Sequence, residues 1–141
     1  MQKIELIALW LKEVWENEDA SAIHKMMDKS GKAQGLGLRN PAGPDEFEMF
    51  HGAMLNLIEN LSISIDMSFE KEDWICVFST LNADNKKTKE KVIMSGCASV
   101  RIEDGKIKEA YNHWDFMPFF EQLKLLPEGT FIKCISGESL K

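Results

Sequence analysis

The chain has 141 residues, 44% of them hydrophobic and 28% charged, with 17 Lys+Arg against 23 Asp+Glu and a net charge of -6. This length predicts one domain, residues 1-141, able to bury roughly 70% of its unfolded surface without metal or disulfides. The acidic balance argues against phosphate backbones, so no nucleic acid is expected, and no apolar run nears the roughly 20 residues that span a bilayer, so no membrane is expected either.

In chain order, residues 3 to 17 read as a helix, because Ile4, Ile7, Ala8, Leu11, Val14 and Trp15 recur at helical spacing. Asp19 is placed to cap a second short helix near 20 to 28. The Gly-rich stretch GKAQGLGLRNPAGP holds a short strand near Ala33 to Leu38. Its GxG lacks the third glycine of a dinucleotide fingerprint. Pro44, Asp45 and Glu46 start a third helix that runs to about Asn60.

From Leu61 the apolar period becomes two. LSISIDMSFEKE, DWICVFSTL, KVIMSGCASVRIE and KIKEAYNHWDFM read as four strands. FFEQLKLL reads as a short closing helix and GTFIKCISG as a final strand or tail, with the structure of 128-141 left open. Helices followed by antiparallel strands predict an α+β fold: a strongly bent sheet wrapped around three helices, forming a cone with a central pocket.

Asp104-Gly105 between the last two strands is a two-residue hairpin turn. An unbroken ladder from it pairs Ile102 with Ile107, Val100 with Glu109, Ala98 with Tyr111, Gly96 with His113 and Met94 with Asp115. In that register Met94, Ala98, Tyr111, His113 and Asp115 share a pocket wall, and a β-bulge would shift these faces. Asp115 stands among Tyr111, Trp114, Phe116, Met117, Phe119 and Phe120, where a carboxylate is costly to bury unless paired or protonated. One reading makes it a desolvated proton-transfer group beside His113. The other makes it a carboxylate bonded to backbone amides where the strand meets the last helix. His51, on the apolar face of the third helix, and Gln34, in the Gly-rich stretch, are further pocket candidates.

The three cysteines, Cys76, Cys97 and Cys134, are far apart and form no CxxC pair. They suit a reducing compartment, and the N-terminal stretch lacks a signal-peptide pattern, so the expected location is cytoplasmic. No metal-ligand spacing, GxSxG motif or phosphate loop is present.

RIEDGKIKEAYNHWDFMPFFEQLKLLP resembles the C-terminal signature of the SnoaL-like polyketide and ester cyclases, a family of the nuclear-transport-factor-2-like superfamily. The matching residues are Arg101, Asp104-Gly105-Lys106-Ile107, Glu109, Tyr111, Asp115 and Gln122-Leu123, with Lys124 where the family usually has glycine. VWENEDASAIHKMM and GPDEFEMF resemble the starts of the family's second and third helices, so the likeness covers about residues 4 to 127. The resemblance implies an α+β cone. It implies Asp115 as general acid/base for an intramolecular aldol closure on an apolar carbonyl or lactone-type compound, with no metal and no cofactor. The family's polar partners are absent from the strand facing Asp115, and His113 is the candidate to replace them. Tyr111, His51, Gln34, Met94, Ala98 and Arg101 are the candidate ligand-binding residues. Two other functions stay open: a ligand-binding module without turnover, and an association domain forming a homodimer, with Trp114 on the shared surface.

Overall fold

The computed structural model describes residues 1–141. Helix α1 (Lys3–Trp10) runs directly into a wider π-helical turn, Leu11–Glu16, so the expected first helix exists with a looser second half. In that turn the Val14 carbonyl accepts a 2.6 Å hydrogen bond from Nε2 of His51. Helix α2 (Ala20–Met26) is capped by Asp19, whose carboxylate accepts from the Ser21 N–H at 2.9 Å. Strand β1 (Met27–Gln34) begins earlier than the sequence suggests. Helix α3 (Pro44–Leu55) opens on Pro44 as expected but stops sooner, because Ile58 already belongs to a strand.

Strands β2 (Ile58–Lys71), β3 (Trp74–Asn85), β4 (Lys91–Glu103) and β5 (Lys106–Trp114) follow, then helix α4 (Phe116–Gln122). The segment read as a strand or tail is instead helix α5 (Thr130–Ile135). Its start is set by Glu121, which accepts from the N–H groups of Gly129 and Thr130 at 2.7 and 3.1 Å. A carboxylate there offsets the unpaired donors of a helix N-terminus.

The five strands lie in the order β1-β5-β4-β3-β2. β1 runs parallel to β5 and every other pair is antiparallel. Irregularities at Glu59/Ser62 and Ile65/Met67 interrupt the β2 ladder, and bulges of this kind bend a strand. Two apolar clusters fill the concave side. One joins α1, the π-turn, α2 and α3 to β1 and the sheet through Ile7, Val14, Ile23, Phe47 and Ile75. The other sits under α4 and includes Met54, Ile58, Leu81, Phe119 and Leu123. This is the expected α+β cone, helices packed on a bent and mainly antiparallel sheet. No helix is long and apolar enough to cross a membrane.

The β4–β5 register departs from the unbroken ladder. Glu103 pairs with Lys106 and Ile102 with Ile107, as the turn predicts. Asp104 and Gly105 both have positive φ, 53° and 70°, as such a turn requires. The next pair is Arg101 with Glu109, so Lys108 is an extra residue and the ladder slips by one. From there Val100 pairs with Ala110, Ala98 with Asn112, Cys97 with His113 and Gly96 with Trp114. A one-residue slip exchanges the two faces of a strand.

The bulged residue is anchored: Lys108 Nζ lies 3.0 Å from Asp28 Oδ1. The hydroxyl of Ser30, and after it the Lys108 ammonium, hold the Asp28 carboxyl far below the usual carboxylate range. A depressed folded-state pKa contributes stability that is complete above the unfolded value, about 3.9, and fades as pH falls toward the folded one. Acid unfolding is therefore expected to begin below about pH 4. Asp28→Asn should remove part of the pH dependence of the melting temperature between pH 4 and 2, leaving its value at pH 7 lower.

Candidate functional site

The cone encloses a cavity of about 100 Å³. Twenty of its 22 lining residues are hydrophobic, and the two others are Ser79 and Asn112. Each wall follows from local structure. Helical spacing places Trp10, Leu11 and Trp15 on one side of the first helical segment, and Phe47, Phe50 and Met54 on one side of α3. Their rings interlock edge to face, with centroids 5.2 Å apart for Trp10–Phe47 and 6.3 Å for Trp15–Phe50. Strand alternation supplies the floor: Val77, Ser79 and Leu81 from β3, Met94, Ala98 and Val100 from β4, and Ile107, Ala110, Asn112 and Trp114 from β5.

Gly96 has a defined role in that floor. A Cβ there would lie 2.6 Å from Cδ2 of Trp114 and 2.7 Å from the His113 carbonyl oxygen, so only glycine lets the indole lie against β4.

Of the residues singled out from the sequence, Met94 and Ala98 line the cavity. Asp115, His113 and Tyr111 do not, because the Lys108 bulge carries them away from its face, and Arg101 does not, because alternation along β4 turns it to the side opposite Ala98 and Val100. Asp115 is exposed at the start of α4, rather than buried among aromatics. Its own N–H donates to the Ser95 carbonyl at 3.0 Å, and its carboxylate caps no helix N–H. With His113 it borders a second, open and more polar groove that also includes Asp66, Ser95 and Cys97. Ser79 and Trp114 touch both the groove and the cavity.

Tyr111 and Arg101 are engaged elsewhere. The Tyr111 hydroxyl donates to Glu109 Oε2 at 2.5 Å, and Arg101 Nε lies 3.0 Å from Glu109 Oε1. The hydrogen bond to Glu109, then burial, pushes the phenol above its ordinary range. The same bond from Tyr111, then that from Arg101, lowers Glu109. His51 is a satisfied core residue, 2% exposed, bonded to Val14 and packed 4.9 Å from the Trp15 ring. Gln34 is exposed, and its backbone carbonyl accepts from Asn112 Nδ2 at 3.0 Å. Trp114 is not an exposed surface residue but part of the cavity wall.

Sequence reasoning missed Ser79 and Asn112. Ser79 sits at an inward position of an otherwise apolar alternation, Ile75, Val77, Ser79, Leu81, and that interruption was its available signal. Asn112 was placed on the outer face by the unbroken register. No group of three or more His, Cys, Asp or Glu is gathered as a metal would need, and the three cysteines are free.

Much of the C-terminal signature serves the fold. The Gln122 side chain pairs with β4 in strand fashion: the Ile93 N–H donates to its Oε1 and its Nε2 donates to the Ile93 carbonyl, both at 2.8 Å. Leu123 is core. Lys124 has φ 65°, and its N–H and that of Leu125 bond back to Glu121 and Phe120, the Schellman arrangement that favours glycine at this position.

The same cone is found in solved structures. A candidate polyketide cyclase from Streptomyces antibioticus, IdmH, superposes with TM-score 0.77 at 14% identity, covering 88% of this chain and 99% of that one. AclR, a candidate hydroxylase from Streptomyces galilaeus, gives 0.75 at 19%, covering 96% and 91%. A protein with a ketosteroid isomerase-like fold from Catenulispora acidiphila, in complex with trimethylamine, gives 0.73 at 12%, covering 85% and 92%. At such identities the likeness shows the fold alone, and no curated protein sequence matches significantly. The family model described as SnoaL-like polyketide cyclase matches residues 5–123, spanning all five strands, the three N-terminal helices and the Gln122-Leu123 clamp. The chain belongs to the SnoaL-like polyketide cyclase family.

Proposed function

We propose that this protein binds a small, uncharged, largely hydrocarbon molecule in the cone. The observation that carries this reading is the lining: twenty hydrophobic residues, one hydroxyl, one amide and no ionisable group. A charged ligand there would lose its hydration with no counter-charge to offset it. An engineered 150 Å³ apolar cavity takes benzene, and at about 100 Å³ this one is smaller, so it holds a short chain as it stands and a single ring once a lining side chain gives way. A larger ligand requires the flexible side chains of Met27, Met54 and Met94 to move, which thioethers do readily. Toluene should bind with a dissociation constant of roughly 0.1–1 mM. In a titration followed by amide NMR, the shifts should fall on Val77, Ser79, Val100 and Asn112. Shifts confined to His113 and Asp115 would sink the proposal.

A second reading is favoured by the groove that meets the cavity at Ser79 and Trp114. A ligand seated in the cone and emerging there would bring a carbonyl or lactone group toward Asp115, with His113 as proton partner. For a substrate that is turned over, Asp115→Asn should lower kcat by about 10²- to 10⁴-fold while leaving toluene affinity within about twofold. An unchanged kcat removes Asp115 from the chemistry and leaves the binding reading intact. Homodimer formation is supported by the exposed Met67 and Phe69 on β2, and sedimentation across a concentration series tests it. The free thiols suit a reducing, cytoplasmic setting.

A further inference from the structure

We infer that Ser79 is the residue through which the cone recognises an oxygen function, a hydroxyl or carbonyl, on its ligand. The inference rests on the cavity being the binding site proposed above.

Ser79 is only 4% exposed. It stands between Val77 and Leu81 on the inward face of β3, with Ile65 opposite on β2 and Gly96 on β4. In such a position a hydroxyl is expected to bond to a neighbouring backbone group or side chain. Its Oγ makes no hydrogen bond within the protein, and no sealed side-chain polar atom in the molecule is left without a partner, so this hydroxyl opens onto space where the apolar cavity meets the open groove. A hydroxyl at the inner end of that junction, with no protein partner and apolar neighbours on the cavity side, gains free energy when a ligand oxygen in the cavity bonds to it. Valine or alanine would complete the apolar row of β3 more favourably, so the hydroxyl is explained by a bound partner.

The surroundings define what that partner can be. Gly96 beside Ser79 leaves room that the Trp114 ring occupies, so a flat aromatic wall flanks the hydroxyl. Asn112, the other polar lining residue, donates its Nδ2 to Gln34, which leaves Oδ1 as an acceptor. The two are separated by β4, so they stand roughly 10 Å apart. A one-ring ligand reaches one of them and a two- or three-ring ligand reaches both. A hydroxyl can donate to a carbonyl or accept from another hydroxyl, whereas neither polar group can neutralise an anion. The ligand class is therefore a neutral hydrocarbon skeleton bearing an oxygen near one end.

Phenol and toluene are nearly equal in size and differ by one oxygen function. Their affinities are measured by amide NMR titration for the full chain, for Ser79→Ala and for Ser79→Thr. The result expected is that Ser79→Ala weakens phenol by about two- to tenfold relative to toluene, while Ser79→Thr, which retains a hydroxyl, preserves the wild-type ratio. A phenol-to-toluene ratio unchanged in Ser79→Ala overturns the inference while leaving the cavity reading intact. A loss in Ser79→Ala that Ser79→Thr fails to restore, in a threonine variant that still binds toluene, also overturns it. Failure of both probes to bind the unmodified chain overturns the cavity reading and this inference together.

Discussion

Gly35→Ala is expected to destabilise the protein by about 3 kcal/mol, lowering its melting temperature by roughly 10 °C. Gly35 follows the last residue of β1 and has φ +85°, a conformation that side chains resist. The space is also taken: a Cβ would lie 1.8 Å from the Asn112 backbone oxygen. The chain turns there directly over β5, and the same crossing brings the Gln34 carbonyl to Asn112. Alanine must push β1 and β5 apart at the point where Ala33 and Asn112 line the cavity. The variant should therefore lose toluene affinity as well as stability. Gly37→Ala is the control for the left-handed backbone alone, because Gly37 has φ +77° but nothing within 4 Å. Equal losses in the two variants would show that the crossing is unimportant.

Phe119→Ala is expected to cost about 3–5 kcal/mol. The ring is fully buried, within the cluster of Met54, Ile58, Leu81, Met94 and Leu123. It fastens α4 over β4, and α4 also carries Phe116, a lining residue of the cavity. Removing the ring leaves a void that the helix cannot fill without moving, so ligand affinity should fall with stability. Met117 is 37% exposed on the same helix, and Met117→Ala should stay within about 0.5 kcal/mol. Denaturant unfolding of the two variants decides the matter. A loss of less than about 1 kcal/mol for Phe119→Ala would mean that α4 is not held by this cluster.

The sequence by itself determined the family, the cone and most of its elements, because those rest on local signals. Helical spacing marked α1 and α3, Asp19 and Pro44 marked two helix starts, and the turn at Asp104-Gly105 located the β4–β5 hairpin. The signature that identifies the family is legible for a physical reason. Arg101–Glu109, Gln122 on Ile93 and Leu123 in the core are contacts that hold the fold.

Only the tertiary structure decided which face of β5 meets the cavity. Both faces of that strand mix polar and aromatic residues: Glu109, Tyr111 and His113 on one, Ala110, Asn112 and Trp114 on the other. A period of two reads equally well in either register. The choice depends on one extra residue, Lys108, and on a partner 80 residues away, Asp28, which no local pattern reports. Helix α5 was missed for a similar reason, since its start depends on Glu121 reaching the N–H groups of Gly129 and Thr130. Ser79 became visible once the strands were stacked, because an unpartnered hydroxyl is a property of its surroundings and not of its residue type.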